Sequence, residues 1–179
     1  MRNSKINKSL DKAIVDFCNG NSYALSEIYD YVARIVFSIS YAIVKNYQDA
    51  EDVLQETMIE ITKYANTYKE GSNAMAWILT MTRHLAINVV RKRKNTTNYE
   101  EIENNNSSNI TIESNYSSLE VFEMLSVLND DEKQIVILRL NYKMPYKEIA
   151  AIMDITVSSA EKRFQRSIKK LKESFSSEV

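Results

Sequence analysis

Glycine and proline are almost absent from this chain of 179 residues, which contains two glycines and one proline. Tight turns between β-strands depend on both residues, so an architecture with many hairpins is disfavoured. Apolar residues make up 44% of the chain, which is enough to bury a hydrophobic core. The composition therefore predicts an all-α fold.

Apolar residues recur at spacings of three and four in two blocks, as amphipathic helices require. Residues 1–94 contain three long stripes and a shorter one, which predict a compact helical bundle. Residues 119–179 contain several shorter helices. Residues 95–118 are rich in Asn, Ser, Thr and Glu and lack periodicity, so they predict a flexible acidic linker. The prediction is two small helical domains joined by this linker.

The formal net charge of −1 conceals a strong segregation of charge along the chain. Residues 81–94 carry five basic side chains and no acid, and residues 156–172 carry six basic side chains and one acid. Residues 95–132 carry nine acids and no base. Such blocks indicate separate binding surfaces for partners of opposite charge.

Several functional classes are disfavoured by what the sequence lacks. It has no glycine-rich phosphate loop and no His or Cys cluster with metal-ligand spacing, and no Ser-His-Asp set is possible beyond the single His84. We therefore expect no enzymatic activity, no cofactor and no metal. No apolar stretch approaches the ~20 residues of a membrane helix, and the N-terminus is too charged for a signal peptide, so a cytoplasmic location without membrane insertion is expected.

The end of the chain has the pattern of a helix-turn-helix. Pro145 precedes a short helix, residues 154–156 form the turn, and a basic amphipathic helix follows, with Ser158 and Glu161 in a capping-box pattern. A merely solvated basic helix would show the same charges, but the Pro-Tyr-x-x-Ile-Ala-x-x-Met pattern before it favours DNA binding. The predicted DNA-facing residues are Ser158, Ser159, Lys162, Arg163, Gln165, Arg166 and Lys169.

Two further motifs lie in the first block. The run Tyr47–Glu56 reads Tyr-Gln-Asp-Ala-Glu-Asp-Val-Leu-Gln-Glu and places Asp49, Asp52 and Glu56 on one face of a helix. Residues 76–94 begin Ala-Trp-Ile-Leu-Thr and end in four consecutive basic residues. An acidic helix face is usually only solvated, and Trp77 starts an apolar stripe, which favours a core position over a stacking platform.

Together these motifs resemble the extracytoplasmic-function (group four) sigma factors of bacterial RNA polymerase. Residues 47–56 and 76–94 are similar to region two of that family, and residues 144–155 and 159–166 are similar to region four. The chain departs from the family at Asp154, where glycine is usual, at Ser158-Ser159-Ala160, and at His84, where asparagine is usual. Asp tolerates the left-handed backbone of such a turn.

The resemblance implies three partners, namely core RNA polymerase, promoter DNA and an anti-sigma factor. Residues 1–94 would bind polymerase and the minus-ten element, and residues 119–179 would bind the minus-thirty-five element through the DNA-facing set named above. The implied polymerase contacts are Asp49, Asp52, Val53, Gln55 and Glu56. The implied minus-ten contacts are Gly71, Ser72, Asn73, Arg83, His84, Asn88, Arg91, Lys92 and Arg93.

Two alternatives remain open at this point. The chain could be a helix-turn-helix regulator that never recruits core polymerase, although such a regulator needs neither the acidic run nor the second basic helix. It could also be a sigma-like protein adapted mainly to bind a partner. The linker could thread the polymerase channel as a mimic of nucleic acid, or it could be a simple spacer.

Overall fold

The computed structural model describes residues 2–96 and 124–176, and within these ranges the backbone forms helices and turns without any strand. The all-α prediction is confirmed. The predicted linker lies outside the described residues from residue 97 onward. The helices are α1 (Arg2–Cys18), α2 (Ala24–Val44), α3 (Tyr47–Tyr64), α4 (Ala74–Thr96), α5 (Asp130–Val136), α6 (Tyr146–Met153) and α7 (Val157–Ser176).

Helices α1 to α4 form a bundle, here called module one, in which α2 contacts each of the other three helices. The reason is the apolar stripe of α2, whose members recur every three or four residues and are at most 1% exposed. A 3₁₀ turn (Ala65–Thr67) ends α3 and leads to the loop before α4. The central stripe of α2 consists of Ile28, Val32, Ile35, Val36 and Ile39.

Polar side chains fix where the helices of module one begin. Asn46, in an extended conformation, accepts a hydrogen bond from the Asp49 N–H at 3.0 Å and so caps α3. Asn73 accepts one from the Ala76 N–H at 2.9 Å and caps α4. Lys45 has a left-handed backbone (φ 57°) and reverses the chain between α2 and α3. These caps place the acidic run and the basic helix on neighbouring elements.

Helices α5 to α7, with a π-helical turn (Ile137–Asn141) that extends α5, form module two. Asn129 and Glu132 make a reciprocal capping box at the start of α5. Before it, the chain from Leu125 to Leu128 is a turn whose two leucines are buried.

The turn between α6 and α7 confirms one sequence prediction and corrects another. Asp154 ends α6 in the left-handed conformation (φ 53°), as predicted for the residue that replaces glycine. The predicted cap at Ser158 is wrong, because the Thr156 side chain accepts the hydrogen bond from the Ser159 N–H at 3.1 Å. Helix α7 therefore begins at Val157, one residue before the predicted cap.

The two modules pack against each other, with α5 on α2 and α6 on α4, so that their buried side chains form one continuous core. Tyr142 of module two is partly buried against Arg34 and Ser38 of module one. That burial raises the pKa of the Tyr142 hydroxyl, and the hydrogen bond with Ser38 offsets part of the effect. Among the described helices, none combines the length and the apolar character needed to cross a bilayer.

Candidate nucleic-acid and partner interfaces

The acidic run of α3 presents only part of its predicted binding set to solvent. Asp52 and Gln55 are exposed, and Glu56 is half-buried. The Gln48 side-chain amide donates to Asp52 Oδ1 at 3.3 Å. Val53, predicted as a polymerase contact, is 2% exposed and packs in the core instead, because it lies on the inward face of the helix. The accessible face is therefore Asp52, Gln55 and Glu56.

Arg93 joins three helices of module one rather than pointing only toward solvent. Its guanidinium forms an ion pair with Asp49 at the start of α3. It also donates to the Val44 carbonyl at 3.1 Å, at the C-terminal end of α2, where a cation is favoured by the helix dipole. Sequence reasoning predicted Arg93 for DNA and Asp49 for polymerase. The structure pairs these two side chains with each other.

The loop that carries the predicted minus-ten contacts Gly71, Ser72 and Asn73 is anchored to α1 by hydrogen bonds. Asp11 accepts hydrogen bonds from the Gly71 N–H at 2.8 Å and from the Tyr68 hydroxyl at 2.6 Å. Asn7 accepts one from the Met75 N–H at 3.0 Å. Gly71 needs its left-handed φ of 76°, which is strained for any residue with a Cβ. Side chains of α1 therefore hold the loop in the conformation seen here.

Tyr68 is part of the same anchor, with its ring 5.1 Å from that of Trp77. Burial raises the pKa of Tyr68 to about 12, with a further contribution from its hydrogen bond to Asp11. The phenol therefore remains a donor throughout the neutral range. Sequence reasoning missed Asn7, Asp11 and Tyr68, because no local pattern links α1 to a loop about 60 residues later. Trp77 is half-buried against the core, in agreement with the predicted core position.

Helix α4 places four of its predicted DNA contacts, His84, Asn88, Arg91 and Lys92, on exposed or accessible positions. A groove of about 470 Å³ between α3 and α4 is lined by Asp52 and Glu56 on one side and by Asn88, Arg91 and Lys92 on the other. The structure thus brings the predicted polymerase face next to part of the predicted minus-ten face. A ligand on one face would lie against the other.

Arg83 is the exception on α4, since its side chain is only 16% exposed. It donates from Nε to Gln134 Oε1 at 3.2 Å and from Nη2 to Asp131 Oδ1 at 3.4 Å, and both partners belong to α5. In this arrangement module two covers Arg83. Direct contact between Arg83 and DNA would therefore require the modules to move apart.

Helix α7 exposes most of the residues predicted to read duplex DNA. Ser158, Lys162, Gln165, Arg166 and Lys169 are exposed, while Ala160 and Ser167 face inward and are fully buried. The ring of Phe164 packs edge-on against Tyr146 at 5.9 Å, which fixes the rotation of α7 on α6. The helix therefore presents a polar and cationic strip that can enter a major groove.

Arg163 lies at the edge of that strip and forms an ion pair with an acidic side chain of the same module. Its Nη1 donates to Asp131 Oδ2 at 2.9 Å. Lys170 on the same helix donates to Glu132 at 2.6 Å. Burial would raise the pKa of Glu132, but the hydrogen bonds from Lys170 and the Asn129 N–H, with the charges of Lys170 and Arg166, outweigh it and lower that pKa.

The acidic start of α5 forms the last part of the acidic block found in the sequence over residues 95–132. Asp130, Asp131 and Glu132 each pair with a cation, and the cations come from three elements. Lys45 of module one contacts Asp130 at 2.8 Å. Three acids in a row do signal a helix start, but the sequence does not reveal their partners.

No group of three potential metal ligands comes together in residues 2–96 and 124–176. What the described part of the chain offers is surface chemistry: one acidic face on α3, one basic face on α4 and one basic strip on α7. These suit a protein partner, a nucleic-acid strand and a duplex, respectively.

Comparison with known families gives two matches that together span most of the chain. The family described as Sigma-70 region 2 matches residues 28–96. The family described as Sigma-70, region 4 matches residues 118–171. The first match contains α3 and α4, and the second contains α5, α6 and α7 as far as residue 171.

Comparison with curated proteins finds sigma factors, two of which are similar to this chain along nearly their full length. RNA polymerase sigma factor CarQ of Myxococcus xanthus is 24% identical over 160 residues, which is 88% of this chain and 92% of CarQ. The ECF RNA polymerase sigma factor SigK of Mycobacterium tuberculosis is 20% identical over 94% of both chains. SigX of Bacillus subtilis, also an ECF sigma factor, is 30% identical over 67 residues, or 37% of this chain and 34% of SigX.

Comparison with solved structures supports the same fold. CnrH, solved in complex with the cytosolic domain of CnrY, has a TM-score of 0.70 at 16% identity and covers 97% of this chain and 99% of its own. The sigma factor RpoE of Bartonella quintana, solved with the anti-sigma factor NepR, has a TM-score of 0.69 at 22% identity and covers 83% and 94%.

Proposed function

This chain belongs to the extracytoplasmic-function sigma factors, and we propose that it directs core RNA polymerase to specific promoters and helps to open the minus-ten element. It would act as a transcription initiation factor without catalysis of its own, in the cytoplasm where the polymerase works. The division of labour follows the two modules. Module one would bind polymerase and the opened strand, and module two would bind the duplex upstream.

The observation that carries the proposal is the presence of three surfaces of different chemistry on one small chain. A duplex-binding regulator needs only the strip on α7, where Lys162, Gln165 and Arg166 are exposed. The acidic face of α3 and the basic face of α4 have no use in such a protein. A sigma factor needs all three, because it must hold polymerase while it contacts DNA at two places.

In the proposed mechanism the strip on α7 enters a major groove at the minus-thirty-five element, where arginine and glutamine read base edges. The loop Gly71–Asn73, held rigid by Asp11 and Asn7, accepts a base displaced from the minus-ten duplex. Arg91 and Lys92 then follow the phosphates of the single strand. Rigidity of the loop matters because a preformed pocket costs no ordering when the base arrives.

Docking on polymerase is proposed for Asp52, Gln55 and Glu56. The double substitution Asp52→Ala with Glu56→Ala should abolish binding to core polymerase, while the fold remains intact because Asp52 is exposed and Glu56 is only half-buried. The matched control is Glu27→Ala with Asp30→Ala, which removes two exposed acids from α2 of the same module. Binding that survives the first pair, or that fails equally with both, would refute the assignment of this face.

The experiment that tests the proposal as a whole is transcription in vitro. Purified protein and bacterial core polymerase are incubated with sheared genomic DNA, and the RNA start sites are sequenced. Starts that depend on the protein and share two spaced upstream elements are the expected result. Binding to duplex DNA without any dependent start would instead favour the helix-turn-helix regulator.

A protein partner that restrains the factor is also proposed. RpoE, which shares the fold, was solved with an anti-sigma factor. By analogy we expect a second protein to cover the DNA-facing or polymerase-facing surfaces until a signal releases it. If one exists, adding it to the transcription reaction should remove the dependent starts and leave those of other sigma factors unchanged.

A further inference from the structure

Helix α1 directs two polar side chains at the loop of residues 71–73. Asn7 and Asp11 are four residues apart and so lie on one face of the helix. Leu10 and Ile14, which share a second face, are fully buried in the core of module one. This burial fixes the position of α1 in the bundle, so the two polar side chains reach the loop from a rigid support.

One oxygen atom of Asp11 holds the loop at two points. Asp11 Oδ1 accepts a hydrogen bond from the Gly71 N–H at 2.8 Å and another from the Tyr68 hydroxyl at 2.6 Å. The same hydroxyl lies 3.2 Å from the Ser72 carbonyl oxygen. An ionised acceptor forms stronger hydrogen bonds than a neutral one, so Asp11 restrains the backbone at Gly71 firmly.

Gly71 needs this restraint because a glycine has little conformational preference of its own. It adopts a positive φ about as readily as a negative one, so its φ of 76° does not follow from the residue type alone. Apart from its two chain neighbours, no described atom lies within 4 Å of the point where a Cβ on Gly71 would stand, so side-chain packing does not fix the loop there either. The hydrogen bond from the Gly71 N–H to Asp11 is therefore the contact that selects this conformation.

The other polar groups of the loop divide into those used inside the protein and those open to a ligand. Asn73 Oδ1 accepts from the Ala76 N–H at 2.9 Å, and the Ser72 N–H donates to the Lys69 carbonyl at 3.1 Å. Ser72 Oγ and Asn73 Nδ2 make no hydrogen bond with any other described residue. A hydroxyl and a side-chain amide nitrogen can both donate to a ring nitrogen or a carbonyl oxygen of a base.

We propose that Asp11 is a positioning residue that determines which base is accepted from the opened minus-ten strand, because it fixes the loop from which Ser72 and Asn73 contact that base. The inference rests on the proposed function and adds to it a residue of α1, which lies before the Sigma-70 region 2 match that begins at residue 28. Asp11 acts through the loop, since its own negative charge repels the phosphates of a strand. A donor held in place rejects a base whose acceptor lies elsewhere, whereas a mobile donor follows the acceptor of any base.

The test compares the promoters chosen by the unsubstituted chain and by Asp11→Ala, each combined with core polymerase on sheared genomic DNA. The preference for one base at one promoter position is typically about five- to hundredfold. Asp11→Ala should lower that ratio at least about threefold at one position of the minus-ten element. The minus-thirty-five element should keep its full preference, because α7 is unchanged.

Three further variants separate the hydrogen bonds of Asp11 from its charge. Asp11→Asn removes the charge but keeps an acceptor oxygen, so it should keep more of the minus-ten preference than Asp11→Ala. Asp16→Ala removes an acid from a different face of α1 and should leave the preference unchanged. Tyr68→Phe removes only the hydroxyl that contacts Asp11, and it should give a smaller loss at the same position.

Hydrogen exchange at the Gly71 amide shows whether the loop has been released, and it should be faster in Asp11→Ala. Faster exchange with an unchanged minus-ten preference would overturn the inference, and so would equal losses at both promoter elements, which would make Asp11 a residue of the fold only. If Asp11→Ala does not fold, an unchanged preference in Tyr68→Phe would overturn it instead. A lack of dependent starts with the unsubstituted chain would refute the proposed function as well, whereas each of the other results refutes the inference alone.

Discussion

Helices α4 and α7 both carry basic residues predicted for DNA, yet they are built into the molecule differently. Helix α4 runs through the bundle, with Ile78, Leu79 and Ala86 fully buried, and two of its arginines are held by other helices. Helix α7 lies at the edge and buries only Ala160 and Ser167 completely. A change on α4 therefore affects folding and binding together, whereas most of α7 can be altered for binding alone.

The largest expected difference between α4 and α7 is in how much a buried side chain of each helix contributes to the free energy of unfolding. Ile78→Ala on α4 removes a fully buried side chain and should lower the free energy of unfolding by about 2–5 kcal/mol. Leu171→Ala on α7, which is partly exposed, should cost less than half of that. Urea denaturation of both variants measures the difference. Equal losses would show that α7 is as integral to its module as α4.

The next effect concerns binding without a change in stability. Arg166→Ala on the exposed strip of α7 should weaken binding to the promoter by about 1–3 kcal/mol and relax specificity at one base position. Its thermal midpoint should match that of the unsubstituted protein. A promoter selection with both proteins measures the specificity. An equal loss on every DNA sequence would make Arg166 a phosphate contact.

Arg93 and Arg91 sharpen the comparison within α4. Arg93→Ala removes the ion pair with Asp49 and the hydrogen bond to Val44, and should lower stability by about 1–2 kcal/mol. Arg91→Ala, two residues earlier and exposed, should lower stability by less than about 0.5 kcal/mol and weaken binding to single-stranded DNA. If both variants melt alike, Arg93 is not the structural link that its contacts indicate.

The smallest effect is a pH dependence confined to module two. The pKa of Glu132 is lowered in the folded chain, so its contribution is present above the ordinary value of 4.5 and is lost as pH falls below it. Glu132→Gln should be less stable than the unsubstituted protein at pH 7, and the difference should shrink as the pH is lowered past 4.5. A constant difference from pH 7 to pH 3 would contradict the linkage.

Sequence patterns predicted the local structure, namely the helices and one turn, but they missed the contacts between segments that lie far apart in the chain. The helices follow from apolar spacing, and the left-handed Asp154 follows from its place in a turn. The cap of α7 was misassigned because Ser158 has a Glu three residues later and Thr156 does not, although both are residue types that cap helices. Val53 lies in the apolar stripe of its own helix, so the spacing predicted its burial, and only the family resemblance assigned it to polymerase.

The contacts that control Arg83 could not be predicted at all. Its partner Asp131 lies 48 residues later, in the second block, beyond a segment with no periodicity to fix the geometry. The sequence located most of the candidate DNA surface by residue type. It could not predict which of those basic residues form ion pairs with acidic residues of the same chain.

Helix α1 precedes the first family match, which begins at residue 28, yet Asp11 and Asn7 hold the loop at Gly71 and Met75. If recombination exchanged only the region from residue 28 onward between relatives, the loop at residues 71–73 would lose the side chains of α1 that hold it. The loop and α1 form one structural unit, and a chimaera joined at residue 28 would keep the loop in place only if the α1 of its recipient supplied acceptors equivalent to Asp11 and Asn7.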